Sequence, residues 1–333
     1  MANLLSNSEV IAALGLPKDI IDAVATKEGD SFVAAVNQVL NAVNKIAYQR
    51  AEKMNFSDPF KKYDGKPITY GTTVENLWIE PPKGYKYDPN ATDPFGKQAI
   101  TNKALYASIN YDMQYQTTIQ RDLIRKAVLN EGGLMELINY IAESVATQTE
   151  IDTYEATIRM LNNKDLFSGG ITDLDVTGMD DAKKAKTVSR KIADTITDFA
   201  LPCHDNNALK VMNVCPKEHA LLIIKQSILN DINWDFLAGV YNLSKVDLAS
   251  KIIPVRDFRT ISVTSAGVAS AAGDDIAFMV IDDRGFDNHV ALRDGGSIYN
   301  PKGRYLNQYT DLWKIISYKY WFNAKAFKLK TAA

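Results

Sequence analysis

Residues 134–161, LMELINYIAESVATQTEIDTYEATIRML, decide how this chain is organised. Apolar side chains recur at Leu134, Leu137, Ile138, Ile141, Val145, Ile151, Tyr154 and Ile158, with the apolar face drifting between Val145 and Ile151. Steps of three and four residues predict one continuous helix. At 1.5 Å per residue it would run for roughly 40 Å, long for a globular domain. It reads as a spine on which the other elements are arranged. Glu131, Gly132 and Gly133 separate it from a shorter helical pattern over residues 118–130, and a strand or strand pair is expected over 100–116.

Towards the N-terminus the composition changes. Between Asn55 and about Tyr115 the chain is rich in Pro, Gly, Asp, Lys and aromatic residues, and Pro59, Pro67, Pro81, Pro82, Pro89 and Pro94 exclude long helices. The segment from Thr69 to Ile79 has β-type composition, which predicts an extended two-stranded excursion. Connections inside compact monomers are mostly about 4–6 residues, so an aromatic excursion of this length points to partners on another copy of the chain. The residues expected in that contact are Phe60, Tyr63, Tyr70, Trp78, Tyr85, Tyr87 and Phe95. Before it, residues 1–54 read as short helices. Pro17 sits where a first-turn proline belongs, and Phe32, Val33, Val36, Val39, Leu40, Val43 and Ile46 form an apolar stripe that must lie against something. This is a docking arm.

Towards the C-terminus, a Gly- and Asp-rich bend over 167–178 is followed by Asp180 or Asp181 as the cap of a polar amphipathic helix reaching Phe199. A second lobe of alternating elements is then expected. It comprises a strand at Ala208 to Cys215, Pro216 opening a helix through KEHALLIIKQSIL, a short helix near Trp234 to Tyr241, and a strand at Lys251 to Val255. The apolar run IAFMVI and a strand at Val290 to Arg293 complete it. From about Asn307 to Leu329 the pattern alternates as one long strand or hairpin, aromatic on both faces and suited to the middle of a packed sheet. The fold class is α+β.

The chain of 333 residues is 46% hydrophobic and 23% charged, enough to bury a sizeable core in one large domain or two smaller ones. Thirty-eight basic against 40 acidic residues leave a formal charge of -2 without a long single-sign run, so nothing advertises binding to a phosphate backbone. Basic and aromatic residues do interleave in KGYKYDP and SYKYWFNAKAFKLK. In the latter the lysines fall at intervals within a strand pattern and read as positions that keep a hydrophobic strand soluble. Two cysteines, Cys203 and Cys215, fit a reducing compartment, and no signal peptide or apolar stretch of membrane-spanning length is read. A soluble cytoplasmic protein is the expectation.

Catalytic signatures are missing. No GxGxxG, GxxxxGK[ST], HExxH or GxSxG occurs, and histidine appears only as His204, His219 and His289. Cys203, His204, Cys215 and His219 supply zinc-type atoms. Adjacent Cys203 and His204 do not easily face one ion, however, and Cys215 ends an apolar strand, so core packing is favoured. Asp173, Asp175 and Thr177 resemble the start of a calcium loop, but Lys184 stands where a bidentate glutamate is needed. No cofactor, metal or catalytic residue is assigned, nor is a role given to Asp274, Asp275, Asp282 or Asp283 beyond turns and caps.

Arm, aromatic excursion, spine helix, α+β lobe and returning strand, in that order, resemble the tailed-phage major capsid proteins, whose Hong Kong phage capsid fold is shared with encapsulin shells. NVCPKEHALLI is similar to the strand-to-helix entry of that family's axial domain, and KIIPV to a short strand there. DDIAFMVIDDRGFDNHVAL resembles its strand-turn-strand, and WKIISYKYWFNAKAFKL its closing peripheral strand. The resemblance implies an N-terminal arm over 1–54, an E-loop over 55–100, a peripheral domain over 101–175 and 307–333, and an axial domain over 176–306. It further implies hexamers and pentamers of this chain closing an icosahedral shell around double-stranded DNA. The virion would be the location after synthesis in the host cytoplasm, with a portal protein and scaffolding or decoration proteins as partners and no membrane. Some members cross-link neighbours through a lysine on the excursion, where Lys83, Lys86 and Lys97 lie here; the full triad is not matched, so noncovalent assembly is expected. An encapsulin-like compartment around a cargo enzyme is the alternative within the same fold, and an enzyme of unfamiliar type the alternative outside it.

Overall fold

A computed structural model describes residues 56, 58–68, 71–82, 84, 86, 102–123, 133–232, 251–259 and 275–330. The expected arm over 1–54, the helix near Trp234 to Tyr241, and Tyr70, Tyr85, Tyr87 and Phe95 lie outside the described residues. The chain divides into two compact units. One comprises Met1–Lys61, Asn110–Tyr154 and Val290–Lys314, and the other Lys62–Ile109, Glu155–His289 and Ile315–Ala333.

The expected spine forms as α1, Gly133–Leu161, an uninterrupted helix of 29 residues whose part up to Tyr154 belongs to the first unit. The unit also holds three antiparallel strands in the order β3 (Tyr111–Gln120), β9 (Tyr305–Ile315), β8 (His289–Asn300). Every residue of β3 pairs with β9, from Tyr111 opposite Lys314 to Gln120 opposite Tyr305. This corrects the reading of a helix starting at Thr118, because residues 118–120 are the last rungs of the ladder. One sheet face buries Tyr111, Ile119, Leu306 and Leu312. The other face mixes polar and aromatic residues, with Gln114 donating to Asp311 (2.8 Å) and Thr118 to Asn307 (2.7 Å) between Tyr305, Tyr309 and Trp313, the period-two alternation of a sheet buried on one face.

Residues 56–61 are held against α1 by chemistry the sequence had marked only as aromatic. The rings of Phe56 and Phe60 lie 5.7 Å and 5.9 Å from that of Tyr154. Buried Glu150 accepts from the Asp58 backbone N–H (3.0 Å) and from Lys61 Nζ (2.7 Å). Its carboxylate is thereby compensated, as burial requires.

The second unit is built on a mixed five-stranded sheet in the order β4 (Thr172–Asp175), β10 (Ala324–Lys330), β7 (Phe278–Asp282), β5 (Ala220–Lys225), β6 (Ile252–Val255). Helix α2, Asp181–Phe199, starts where predicted: the Asp180 side chain accepts the Lys183 N–H at 2.8 Å. It contributes Val188, Ile192, Ile196 and Phe199 to a core with Leu222, Ile224, Phe278, Val280 and Phe327.

Three sequence expectations fail here for identifiable reasons. Residues ALLIIK are the interior strand β5, not a helix, with only a 3-10 turn over Lys217–His219 before them and a single turn α3, Gln226–Leu229, after. An apolar run buried on both faces carries no periodicity, so pattern alone does not separate strand from helix. The segment Ala208 to Cys215 is a loop, pinned when Asn207 donates to the Val211 carbonyl (2.7 Å) and accepts its N–H (2.9 Å), with Lys210 at φ +50. Finally, the long C-terminal strand is two strands in different sheets, β9 and β10, interrupted over 316–323. Each is nonetheless an interior strand, β9 between β3 and β8 and β10 between β4 and β7.

Candidate functional site

Strands β1 (Thr73–Ile79) and β2 (Asn102–Ser108) form an antiparallel ribbon of the second unit, from Thr73 opposite Ser108 to Ile79 opposite Asn102. Its two faces differ sharply. The inward face carries Val74, Asn76 and Trp78 opposite Ala107, Leu105 and Lys103. Trp78 stacks on Trp321 (5.9 Å) and meets Phe322 edge-on (6.2 Å), while Lys103 Nζ donates to the Leu209 carbonyl (2.5 Å). The outward face leaves Leu77 55%, Ile79 59% and Tyr106 65% exposed. Tyr106 donates from its hydroxyl to Glu75 at 2.9 Å, so its ring is held along this face. Two strands alone are marginal in water, and apolar residues grouped on a solvated face mark an interaction surface.

Asp287 ties the ribbon down. One carboxylate oxygen, Oδ2, accepts from Asn76 Nδ2 at 2.6 Å; the other lies 3.2 Å from His289 Nε2 and 3.1 Å from Lys319 Nζ. The Asp287 N–H donates to the Ser317 carbonyl (2.9 Å), and Ser317 Oγ donates to the Asp287 carbonyl (3.0 Å). Beside it, the turn after β7 is packed without slack. Buried Asp282 accepts from Arg284 Nε (2.9 Å) and Nη2 (2.5 Å), and the Tyr318 hydroxyl lies 2.9 Å from the Asp282 carbonyl. A Cβ on Gly285 would come within 2.2 Å of the Tyr318 ring. Burial, with the nearby Asp282 charge, pushes the Tyr318 phenol far above its ordinary range. The same two causes raise the Cys215 thiol. All these groups converge on the 316–323 interruption.

The residues expected to form contacts divide accordingly. Phe60 is buried in its own unit on Tyr154. Tyr63 stacks on Phe286 at 4.7 Å, and burial lifts its phenol well above the usual tyrosine value. Trp78 faces inward, as above. Sequence reasoning named the aromatic residues and missed Leu77, Ile79 and Tyr106; the alternation of TVENLWI was the signal that separates the two faces.

The remaining polar candidates have structural partners. Cys203 Sγ accepts the Asp205 N–H (3.3 Å), His204 Nδ1 lies 3.3 Å from the Lys210 carbonyl, and His219 Nδ1 lies 2.8 Å from Asp283. Asp173 pairs with Lys328 (3.3 Å), and Asp175 accepts the Thr177 N–H (2.9 Å), which holds its carboxyl below the usual range. Among the described residues, no group of three or more His, Cys, Asp and Glu is arranged to hold a metal ion, and no helix is long and apolar enough to cross a membrane.

The chain is similar to a chain of the capsid structure of Staphylococcus phage Andhra, with a TM-score of 0.62 over 84% of this chain and 86% of that chain at 8% identity. The fold is thus the α+β fold of the Hong Kong phage capsid class. The sequence model of the Phi29-like phage major capsid proteins matches residues 19–328, and the chain belongs to that family. Its relatives include the major capsid proteins of Bacillus phage PZA and Bacillus phage B103. Each is 24% identical, over 351 and 353 aligned positions respectively, covering 96% of this chain and 75% of the relative. The chain is a phage major capsid protein, a structural component of the virion.

Proposed function

We propose that copies of this chain assemble through the outward face of the β1–β2 ribbon into hexamers and pentamers, which close an icosahedral shell around packaged double-stranded DNA. The observation that carries this reading is the grouping of Leu77, Ile79 and Tyr106 on one solvated face of a ribbon whose other face is anchored. Covering such a face returns roughly 25 cal/mol per Å² of apolar area, and a repeated contact between identical subunits closes rings. Tyr70, Tyr85, Tyr87 and Phe95 join the same contact by their place on the excursion, whereas Tyr63 and Trp78 act behind it by fixing its base, and Phe60 packs on Tyr154 within the other unit.

In this reading residues 1–54 are the arm and 55–100 the E-loop. Residues 101–175 with 307–333 form the peripheral domain, and 176–306 the axial domain. A portal protein and scaffolding or decoration proteins complete the particle, and the subunit is made in the host cytoplasm. The formal charge of -2 suits a wall that encloses DNA without gripping it. The protein acts through its contacts and not through catalysis.

Electron microscopy of the purified protein tests the proposal. Icosahedral particles of any size are the expected result. Discrete monomers at high concentration, under all assembly conditions tried, would overturn it.

A further inference from the structure

We propose that Asp287 is a positioning residue for assembly, latching the inward face of the ribbon through Asn76 so that the outward face meets a second copy of this chain in one fixed orientation. The inference rests on the reading of that outward face as an inter-subunit contact.

Asp287 is 6% exposed, and a buried carboxylate is tolerated only when its oxygens are compensated. The two oxygens are divided between different parts of the chain. Oδ1 is engaged by His289 and Lys319, and the backbone around Asp287 by Ser317. Those contacts join the turn after β7 to the 316–323 interruption and do not involve the ribbon. Oδ2 is engaged by Asn76, the middle residue of β1, at 2.6 Å. Lifting the ribbon therefore strips a hydrogen bond from a buried charged acceptor, while the rest of the cluster keeps its partners.

The other anchors are of a different kind. Trp78 lies on Trp321 and Phe322 as an apolar, adjustable contact. Lys103 reaches the Leu209 carbonyl on a long flexible stem. Asn76 is short and directional, so it fixes how far β1 is rotated and translated. A ribbon fixed in this way spends less ordering entropy when a neighbour covers Leu77, Ile79 and Tyr106, the general advantage of a preorganised surface.

The experiment uses the full chain and three variants: Asn76→Ala, Asp287→Asn and, as a control on the face itself, Leu77→Ser. Hydrogen exchange is measured on unassembled subunits, and particle yield by sedimentation. In Asn76→Ala, amides of β1 and β2 should exchange about tenfold faster, roughly the loss of one hydrogen bond to a charged acceptor. Amides of β5 and β7 should be unchanged and particle yield reduced. Leu77→Ser should reduce yield with exchange unchanged. If Leu77→Ser lowers yield while Asn76→Ala assembles as the parent does, the latch is wrong and the contact reading stands. If Leu77→Ser assembles normally, the contact reading itself fails. Equal acceleration in β5 and β7 of Asn76→Ala would make Asn76 an ordinary fold contact and overturn the inference. Asp287→Asn should show the same regional pattern; should it fail to fold, Asn76→Ala decides alone.

Discussion

Cys203 and Cys215 lie twelve residues apart in sequence and differ in what they can do. Cys215 is fully buried, and burial together with Asp282 keeps its thiol protonated far into alkaline solution, whereas Cys203 is half-buried. Because the thiolate is the reacting form, alkylation of the unassembled subunit should label Cys203 first and spare Cys215 until the subunit unfolds. Peptide mass spectrometry reads both sites. The phenols of Tyr63, Tyr115 and Tyr318 are raised chiefly by burial, that of Tyr115 also by Tyr111 and Asp152. The folded state therefore holds these protons more tightly than the unfolded chain does. Their contribution to stability is complete below about pH 10, where an exposed tyrosine begins to ionise, and is lost as pH rises further. In tyrosinate absorbance followed during alkaline unfolding, the share from these three of the 16 tyrosines should appear as a late step together with loss of structure, after the solvent-exposed phenols have ionised. At Gly285, where the Tyr318 ring occupies the space of any side chain, Gly285→Ala should destabilise the subunit by about 3 kcal/mol in denaturant melts.

At the scale of elements, α2 is the clearest case of local sequence setting a boundary. Asp180 caps it, and Asp180→Ala should cost about 1 kcal/mol while Asp180→Asn is nearly neutral, measured by the shift in the subunit's thermal midpoint. The 316–323 interruption is the opposite case. WKIISYKYWFNAKAFKL alternates as a strand throughout, yet Tyr318 turns inward to the Asp282 carbonyl and Lys319 to Asp287. Those two bonds satisfy groups left buried at the end of β7, and their partners are more than thirty positions away. Strand pairing lost over a few residues is repaid by satisfying a buried carboxylate and carbonyl.

For the molecule as a whole, the proposed contact is apolar and the subunit nearly neutral, so assembly should respond to solvent in a particular way. Raising sodium chloride about tenfold from low ionic strength should leave particle yield unchanged or higher, because screening removes little from an apolar contact. Sulfate should raise the yield by strengthening apolar burial. Light scattering of assembling subunits distinguishes this from a salt-bridged interface, whose yield would fall.

What the sequence determined by itself was whatever depends on near neighbours: the spine helix, the Asp180 cap, the two-stranded excursion, the apolar run of β7, and through their order the capsid class. Tertiary structure decided the rest. Whether ALLIIK became helix or strand depended on β6 and β7 lying on either side of it. Which ribbon face looked outward depended on Trp321 and Asp287, more than two hundred residues from Trp78 and Asn76 in the chain. A pattern of apolar residues states that a face must be covered. Only the arrangement of distant segments settles what covers it, because burial energy depends on area and not on the identity of the partner.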